Sequence, residues 1–336
     1  MPDFFALSTE DRREALATAA DKSGRPIHLL EKDVWVVWTL KALFGGAHEA
    51  HLVFKGGTSL SKGYGVIGRF SEDVDLTYDI RQIAGDLIGE AGSILPPSKS
   101  QAKKWTDQIR ERLAKHVSET ITPRLAELLR SNGLPAKVSA NADKILLEYE
   151  ALASGYGYVK PIVTLEFGAR STGEPSEIRD VTCDAAAHVT SVTFPTARPR
   201  VMRPERTFWE KATAIHVFCR RGVFRGGDRY SRHWHDITRL DAAGYANSAI
   251  ADKVLAKDVA DHKTLFFAEK DKTGTIIDYR KAIDGALLLV PDKDDLAKLT
   301  QDYKGMVDDG LLLEKAEPIE KLMRLCQNIQ DRANSR

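Results

Sequence analysis

The sequence predicts a mixed α/β (α+β) fold in two lobes, and three observations predict it. The chain has 336 residues, more than one typical domain. Short apolar strand-like runs are interspersed with helical stretches as far as Val201, whereas from Pro204 onward the pattern is helical. Hydrophobic residues make up 43% of the chain, which is ordinary for a globular protein with a real core. We therefore expect an N-terminal lobe over 1–200, with a sheet and its leading helices, and a C-terminal helical lobe over 201–336. Ligand sites commonly lie in the cleft between two such lobes.

The elements follow in order. Ser8 with Asp11 three residues later makes a helix start, so a helix is expected over 8–22. Leu29, Leu30, Val34, Val37, Trp38 and Leu40 recur at helical spacing and give a second helix over 28–44, which Gly45-Gly46 ends. His51 to Phe54 reads as a short buried strand, Thr58 to Tyr64 as a short helix after a glycine turn, and Val74 to Tyr78 as a strand. Pro96-Pro97 is a break. A long amphipathic helix then spans 101–132, kinked or split at Pro123 and ended by Asn132-Gly133. Strands are expected over Lys137–Asn141, Ile145–Glu150, Val159–Phe167 and Val189–Phe194. In the third of these, Ile162, Thr164 and Glu166 lie on one face and Val163, Leu165 and Phe167 on the other. Helices with acidic loops fill 245–336, where little chemistry is visible.

Composition narrows the function classes. There are 49 Lys and Arg against 48 Asp and Glu, a net charge of +1, so bulk charge does not suggest a nucleic-acid partner. The balance is uneven along the chain, however. Residues 198–239 hold eleven Lys and Arg against four acids, a local charge of +7 that attracts phosphates. The cysteines Cys183, Cys219 and Cys326 are odd in number and far apart, which gives no zinc spacing or disulfide framework and fits a reducing cytoplasm. The N-terminus lacks the pattern of a signal peptide, and no apolar stretch is long enough for a membrane span. No membrane partner is expected.

The chemistry is concentrated in two adjoining blocks, Phe54-Lys55-Gly56-Gly57-Thr58-Ser59-Leu60-Ser61-Lys62 and Arg69-Phe70-Ser71-Glu72-Asp73-Val74-Asp75-Leu76. Side chains two apart on a strand share a face, so Asp73 and Asp75 point at one spot, while Glu72 alternates away and reads as structural. Phe70, Val74 and Leu76 carry that strand into a core, where two like charges are costly unless a cation joins them. Two carboxylates suit a hard divalent ion. The glycine turn brings backbone N–H groups close to a phosphate. Together these are the minimum kit for metal-dependent phosphoryl or nucleotidyl transfer.

A glycine pair with hydroxyl residues, a short helix and then Ser-Glu-Asp-x-Asp-Leu resembles the abortive-infection nucleotidyltransferase toxins. This is the AbiEii/AbiGii family with its MenT relatives, within the DNA polymerase β-like superfamily, and the resemblance covers roughly residues 30 to 245. It implies a nucleotidyltransferase-like mixed sheet, an NTP substrate, Mg²⁺ or Mn²⁺, a cognate antitoxin and an RNA acceptor, most plausibly the 3′ end of tRNA, whose modification blocks translation. Lys55, Gly56, Gly57, Thr58 and Ser59 would then meet the nucleotide, and Ser71 and Asp73 are active-site positions. Asp75 is the second metal ligand, and Glu166 stands for the superfamily's third carboxylate, with Glu148 and Glu150 as alternatives. The run Pro204-Glu205-Arg206-Thr207-Phe208-Trp209-Glu210-Lys211 resembles the later helix motif, whose lysine contacts phosphates. Arg232-His233-Trp234-His235-Asp236-Ile237 resembles the family's Arg-Asp-x-x-Asp-Leu element, with His233 in place of the first aspartate and Asp236 as the partner of Lys211. Arg206, Arg221, Arg225, Arg229 and Arg232 are the expected RNA contacts. Other readings are a protein or small-molecule hydroxyl as acceptor, or a nucleotide-binding regulator with a degenerate site.

Overall fold

The computed structural model describes residues 1–46, 49–71, 73–88, 92–153, 160–223 and 229–335. The chain divides into two compact units. The first comprises Met1–Tyr64, Phe70–Ile94 and Thr106–Met202; the second comprises Gly65–Arg69, Leu95–Trp105 and Arg203–Arg336.

The first unit opens with α1 (Thr9–Ser23) and α2 (Ile27–Phe44). Ser8 caps α1 by accepting from the Asp11 N–H, and Gly24 ends it in the left-handed region at φ 71°. α2 is apolar nearly all round and is buried along most of its length, as such a helix must be. Then come β1 (Leu52–Lys55), α3 (Gly56–Lys62), β2 (Asp73–Tyr78) and the one-turn α4 (Ile80–Ile83). The long helix is α5 (Lys99–His116) and α6 (Thr122–Ser131), joined through a π-helical turn at Val117–Ile121. Pro123 sits in the first turn of α6, where its missing N–H costs nothing, so the helix is split just ahead of the proline.

The remaining strands are β3 (Ala136–Asn141), β4 (Lys144–Tyr149), β5 (Ile162–Gly168), β6 (Ser176–Ile178), β7 (Val181–Thr182), β8 (Thr196–Ala197) and β9 (Arg200–Met202). Seven of them form one mixed sheet in the order β3-β4-β5-β2-β1-β9-β6, and β7 pairs with β8. β2 runs parallel to β5 and antiparallel to β1. The expected strand over Val189–Phe194 does not form. Only Thr193 makes a bridge, to Asp3, and the apolar residue Phe194 is spent on stacking with Phe4 at 5.1 Å. Alternation there reports packing under the N-terminus and no ladder.

The second unit is helical: α7 (Pro204–Arg221), α8 (Arg232–Ala242), α9 (Tyr245–Ala251), α10 (Lys253–Phe266), α11 (Tyr279–Ile283), α12 (Lys293–Asp308) and α13 (Ile319–Asn334). Its core holds Trp209, Phe218 and Trp234, with Phe218 edge-on to Trp234 at 5.2 Å. Each buried indole donates to a backbone carbonyl, Trp209 to Ala249 at 2.9 Å and Trp234 to Leu289 at 2.8 Å. The segment before the aspartate strand belongs to this unit: Arg69 bridges Leu312, and Leu313 N–H donates to the Gly68 carbonyl. Among the described residues no helix is long and apolar enough to cross a membrane.

Candidate active site

In the first unit β1 is a buried apolar run that stops at Lys55, and the chain turns straight into α3 at Gly56. Gly56 has φ +78°, and a Cβ placed there would overlap the Asp75 carboxylate. The glycine is thus required twice, for its backbone angle and for the carboxylate seated on it. Thr58 and Ser59 are buried, and their hydroxyls are used internally. Thr58 donates to the Asp73 carbonyl, and Ser59 donates to the Gly56 carbonyl at 2.9 Å. Where the sequence suggested hydroxyls facing a nucleotide, the structure uses them to tie the turn to the start of β2.

Asp73 and Asp75 lie on the half-exposed face of β2, and Val74 and Leu76 point into the core. Across the sheet, Asp75 is in register with Lys55 on β1 and with Glu166 on β5, and Glu166 with Lys144 on β4. One row thus carries a lysine, two carboxylates and a lysine, while Asp73 pairs with Thr164. Ser71 lies just before β2 and is partly exposed. Glu72 and Val159 lie outside the described residues.

Glu166 is engaged by Lys144, and that hydrogen bond raises the lysine's pKa. This is a different partner from the Arg170 that sequence proximity suggests, because strand register places Lys144 opposite. Glu148 is likewise paired, with Lys137 at 3.4 Å. Among the described residues no three His, Cys, Asp or Glu side chains are grouped so as to hold a metal ion. A divalent cation fits Asp73 and Asp75 by donor chemistry, two hard oxygen carboxylates on one face beside a glycine that leaves room. Glu166 does not complete a third ligand position while it is held by Lys144.

In the second unit α7 and α8 meet through one ion cluster. Lys211 reaches Asp236 at 2.9 Å, and both are buried. Arg69 forks onto the same carboxylate, Nε to Oδ1 and Nη2 to Oδ2, each 2.7 Å. His235 Nδ1 lies 3.4 Å from Asp236 Oδ1. Burial works to raise the Asp236 carboxyl, but Arg69 and Lys211 outweigh it and hold the group well below the usual carboxylate range. Burial lowers the Lys211 pKa; Asp236 opposes this, and Arg69 and Arg232 reinforce it. His233, which replaces the family's aspartate, is pushed well below its ordinary value by burial and then by Lys211 and Arg232, so it is neutral at neutral pH. Two cations share one carboxylate here, and the three groups sum to +1. Sequence reasoning gives Arg69 no role; its only local signal is its place two residues before Ser71.

The basic segment does not form a stripe. Arg198 and Arg200 fall in the first unit and the rest in the second. Arg206 is buried and bonds Glu210 at 3.4 Å, which removes it from any RNA-facing surface. Arg198 pairs with Asp180, Arg221 with Glu269, Arg229 with Asp309 and Arg239 with Glu314. The acids that balance the segment come from elsewhere in the chain, so a local count of +7 overstates the field. Arg232 is partly exposed, and Arg225 lies outside the described residues.

The sequence profile of the family described as "Nucleotidyl transferase AbiEii toxin, Type IV TA system" matches residues 38–325. The chain belongs to the AbiEii nucleotidyltransferase toxin family. It is a nucleotidyltransferase of a toxin–antitoxin system. The AbiEii match includes Lys55 to Asp75, Lys211 and Asp236, and extends through the C-terminal helices well past the resemblance read from motifs. Among solved structures the chain is similar to MenT4, a nucleotidyltransferase toxin from Mycobacterium tuberculosis H37Rv, at 16% identity and TM-score 0.41 over 95% of this chain and 98% of that one. It is also similar to a protein of H. pylori crystallised as a candidate nucleotidyltransferase, at 15% identity and TM-score 0.39 over 91% and 92% of the two chains. No curated protein matches the sequence.

Proposed function

We propose that this toxin transfers a nucleoside monophosphate from an NTP to the hydroxyl of an RNA acceptor, at the 3′ end of tRNA, releasing pyrophosphate and blocking translation. The observation that carries the chemistry is the pair Asp73 and Asp75 on one face of β2, with the Asp75 carboxylate seated on Gly56, in a chain of this family. Asp73 and Asp75 hold Mg²⁺ or Mn²⁺. The cation polarises the phosphate under attack and offsets charge on the departing pyrophosphate. Lys55 and the backbone of Gly56 and Gly57 meet the nucleotide's phosphates, and Thr58 and Ser59 keep that turn in shape. Ser71 contributes its hydroxyl at the start of β2. Lys211 contacts phosphate as a cation, and Asp236 with Arg69 fixes its position. Glu166 becomes available to the acceptor hydroxyl's proton only when Lys144 releases it. Two carboxylates and one phosphate-binding cation are what nucleotidyl transfer requires of side chains, because the reaction is mostly positioning and charge compensation.

The test is to incubate the protein with total RNA, Mg²⁺ and each labelled NTP. RNA should become labelled by wild type and remain unlabelled with Asp73→Ala. A second reading keeps the chemistry and changes the acceptor to a protein or small-molecule hydroxyl. The dispersal of the basic segment into internal ion pairs favours it, since such acceptors need less cationic surface. Label in protein, with none in RNA, selects it.

A further inference from the structure

A small concavity of about 50 Å³ lies in the first unit, away from the β2 aspartates. Its walls include Thr106, Arg110, Asp143, Gly168 and Arg170. Arg110 comes from the exposed side of α5, Arg170 from the chain just after β5, and Asp143 from the turn between β3 and β4. Three segments far apart in sequence thus bring two guanidinium groups and one carboxylate to one opening. Arg170 is substantially desolvated; burial lowers its pKa, Arg110 acts in the same direction and Asp143 opposes them. An arginine stays charged through such a shift. Placing two guanidinium groups on one concavity is unfavourable unless an anion is shared between them, and arginine pairs suit the oxygens of a phosphate, which they grip in a fork.

We propose that the Arg110–Arg170 concavity is a phosphate-binding subsite, and that it takes a backbone phosphate of the acceptor strand. The assignment to the acceptor rests on the RNA reading above; the phosphate chemistry does not. Arg170 follows Glu166 by four residues, at most about 14 Å of extended chain. Asp143 directly precedes Lys144, the partner of Glu166. The subsite is therefore tethered to the strands that carry the third carboxylate, within reach of a strand whose end lies there. It also supplies acceptor contacts that the 198–239 segment, spent on internal pairs, does not.

The experiment compares wild type, Arg110→Glu, Arg170→Ala, Arg170→Lys and the exposed control Lys41→Glu. Two affinities are measured: fluorescence anisotropy of a labelled single-stranded RNA across a salt series, and calorimetric titration with NTP. Arg110 is exposed, so its reversal leaves the melting temperature unchanged, and circular dichroism confirms this for each variant. Arg110→Glu should weaken RNA binding roughly tenfold or more and flatten the log–log salt dependence by about 0.7 for each phosphate no longer neutralised, with NTP affinity intact and Lys41→Glu like wild type. Arg170→Lys should restore part of what Arg170→Ala loses. Loss of NTP affinity alone would keep the phosphate subsite and reassign it to the nucleotide. If wild type binds no RNA, the acceptor reading fails by itself and the NTP arm alone judges the concavity. Variants that bind both RNA and NTP as wild type does overturn the proposal.

Discussion

At the scale of single residues, three side chains decide whether the site is correctly read. Asp73→Ala removes a carboxylate from the half-exposed face of β2 and leaves the buried Val74 and Leu76 in place. Its melting temperature should stay near wild type while nucleotide transfer falls on the order of a thousandfold; near-normal transfer would remove Asp73 from the site. Gly56→Ala acts twice. It forces an L residue to φ +78°, which costs about 1–2 kcal/mol, and its methyl displaces the Asp75 carboxylate. Transfer should therefore drop far more than that stability loss explains, and single-turnover rates beside melting curves separate the two. Arg69→Gln leaves the buried Asp236 with Lys211 and His235 but without its fork, so destabilisation of about 3 kcal/mol is expected. A double-mutant cycle with Asp236→Asn should show coupling above about 1 kcal/mol. Strict additivity would mean that the fork contributes nothing. Arg69 also marks the limit of reading from sequence. Asp73 and Asp75 announce themselves by two-residue alternation, whereas the tie from Arg69 to Asp236 spans 167 positions and no local pattern reports it.

At the scale of elements, legibility follows the range of the forces involved. α1 is readable because Ser8, its cap, is three residues from the N–H it binds. The turn from β1 into α3 is readable because glycine is the residue that a positive φ selects. The strand expected at Val189–Phe194 does not form because alternation reports a buried face and says nothing of what lies opposite. The Lys144 partner of Glu166 is hidden because register is a property of two strands. The basic segment misleads for the same reason, its counter-charges lying outside the window of the count. A further element-scale device is also invisible locally: on α7, His216 is buried, and its Nδ1 accepts the Leu288 N–H at 3.1 Å. Burial, then Arg220, lowers its pKa to about 4 from 6.5. The unfolded chain therefore takes up the proton first as pH falls. Stability is full above the unfolded value and is lost as pH drops from 6.5 towards 4, on the order of 3 kcal/mol at full extent. His216→Gln, whose amide oxygen can still accept from Leu288, should flatten this acid limb in urea melts taken across the range. An identical limb in the variant would assign the loss to other groups, such as His233.

At the scale of the whole molecule, membership of a toxin family converts chemistry into a cellular expectation. A nucleotidyltransferase of a toxin–antitoxin system is kept with a cognate antitoxin because its unrestrained activity is harmful. Expression of this chain alone in a bacterial host should arrest growth, and coexpression of the cognate antitoxin should restore it. Relief by substitution should follow the chemistry and ignore the fold. Asp73→Ala and Lys211→Ala both remove charge, but from different surroundings. Asp73 is half-exposed, so its loss should leave soluble protein at wild-type levels. Lys211 is buried against Asp236, so its loss leaves that carboxylate desolvated without its lysine and should lower abundance as well as activity. Asp73→Ala is therefore the decisive variant. Growth restored at undiminished protein level ties toxicity to nucleotidyl transfer. Growth still arrested by Asp73→Ala, with transfer abolished in vitro, would separate the two and place the harm in binding alone.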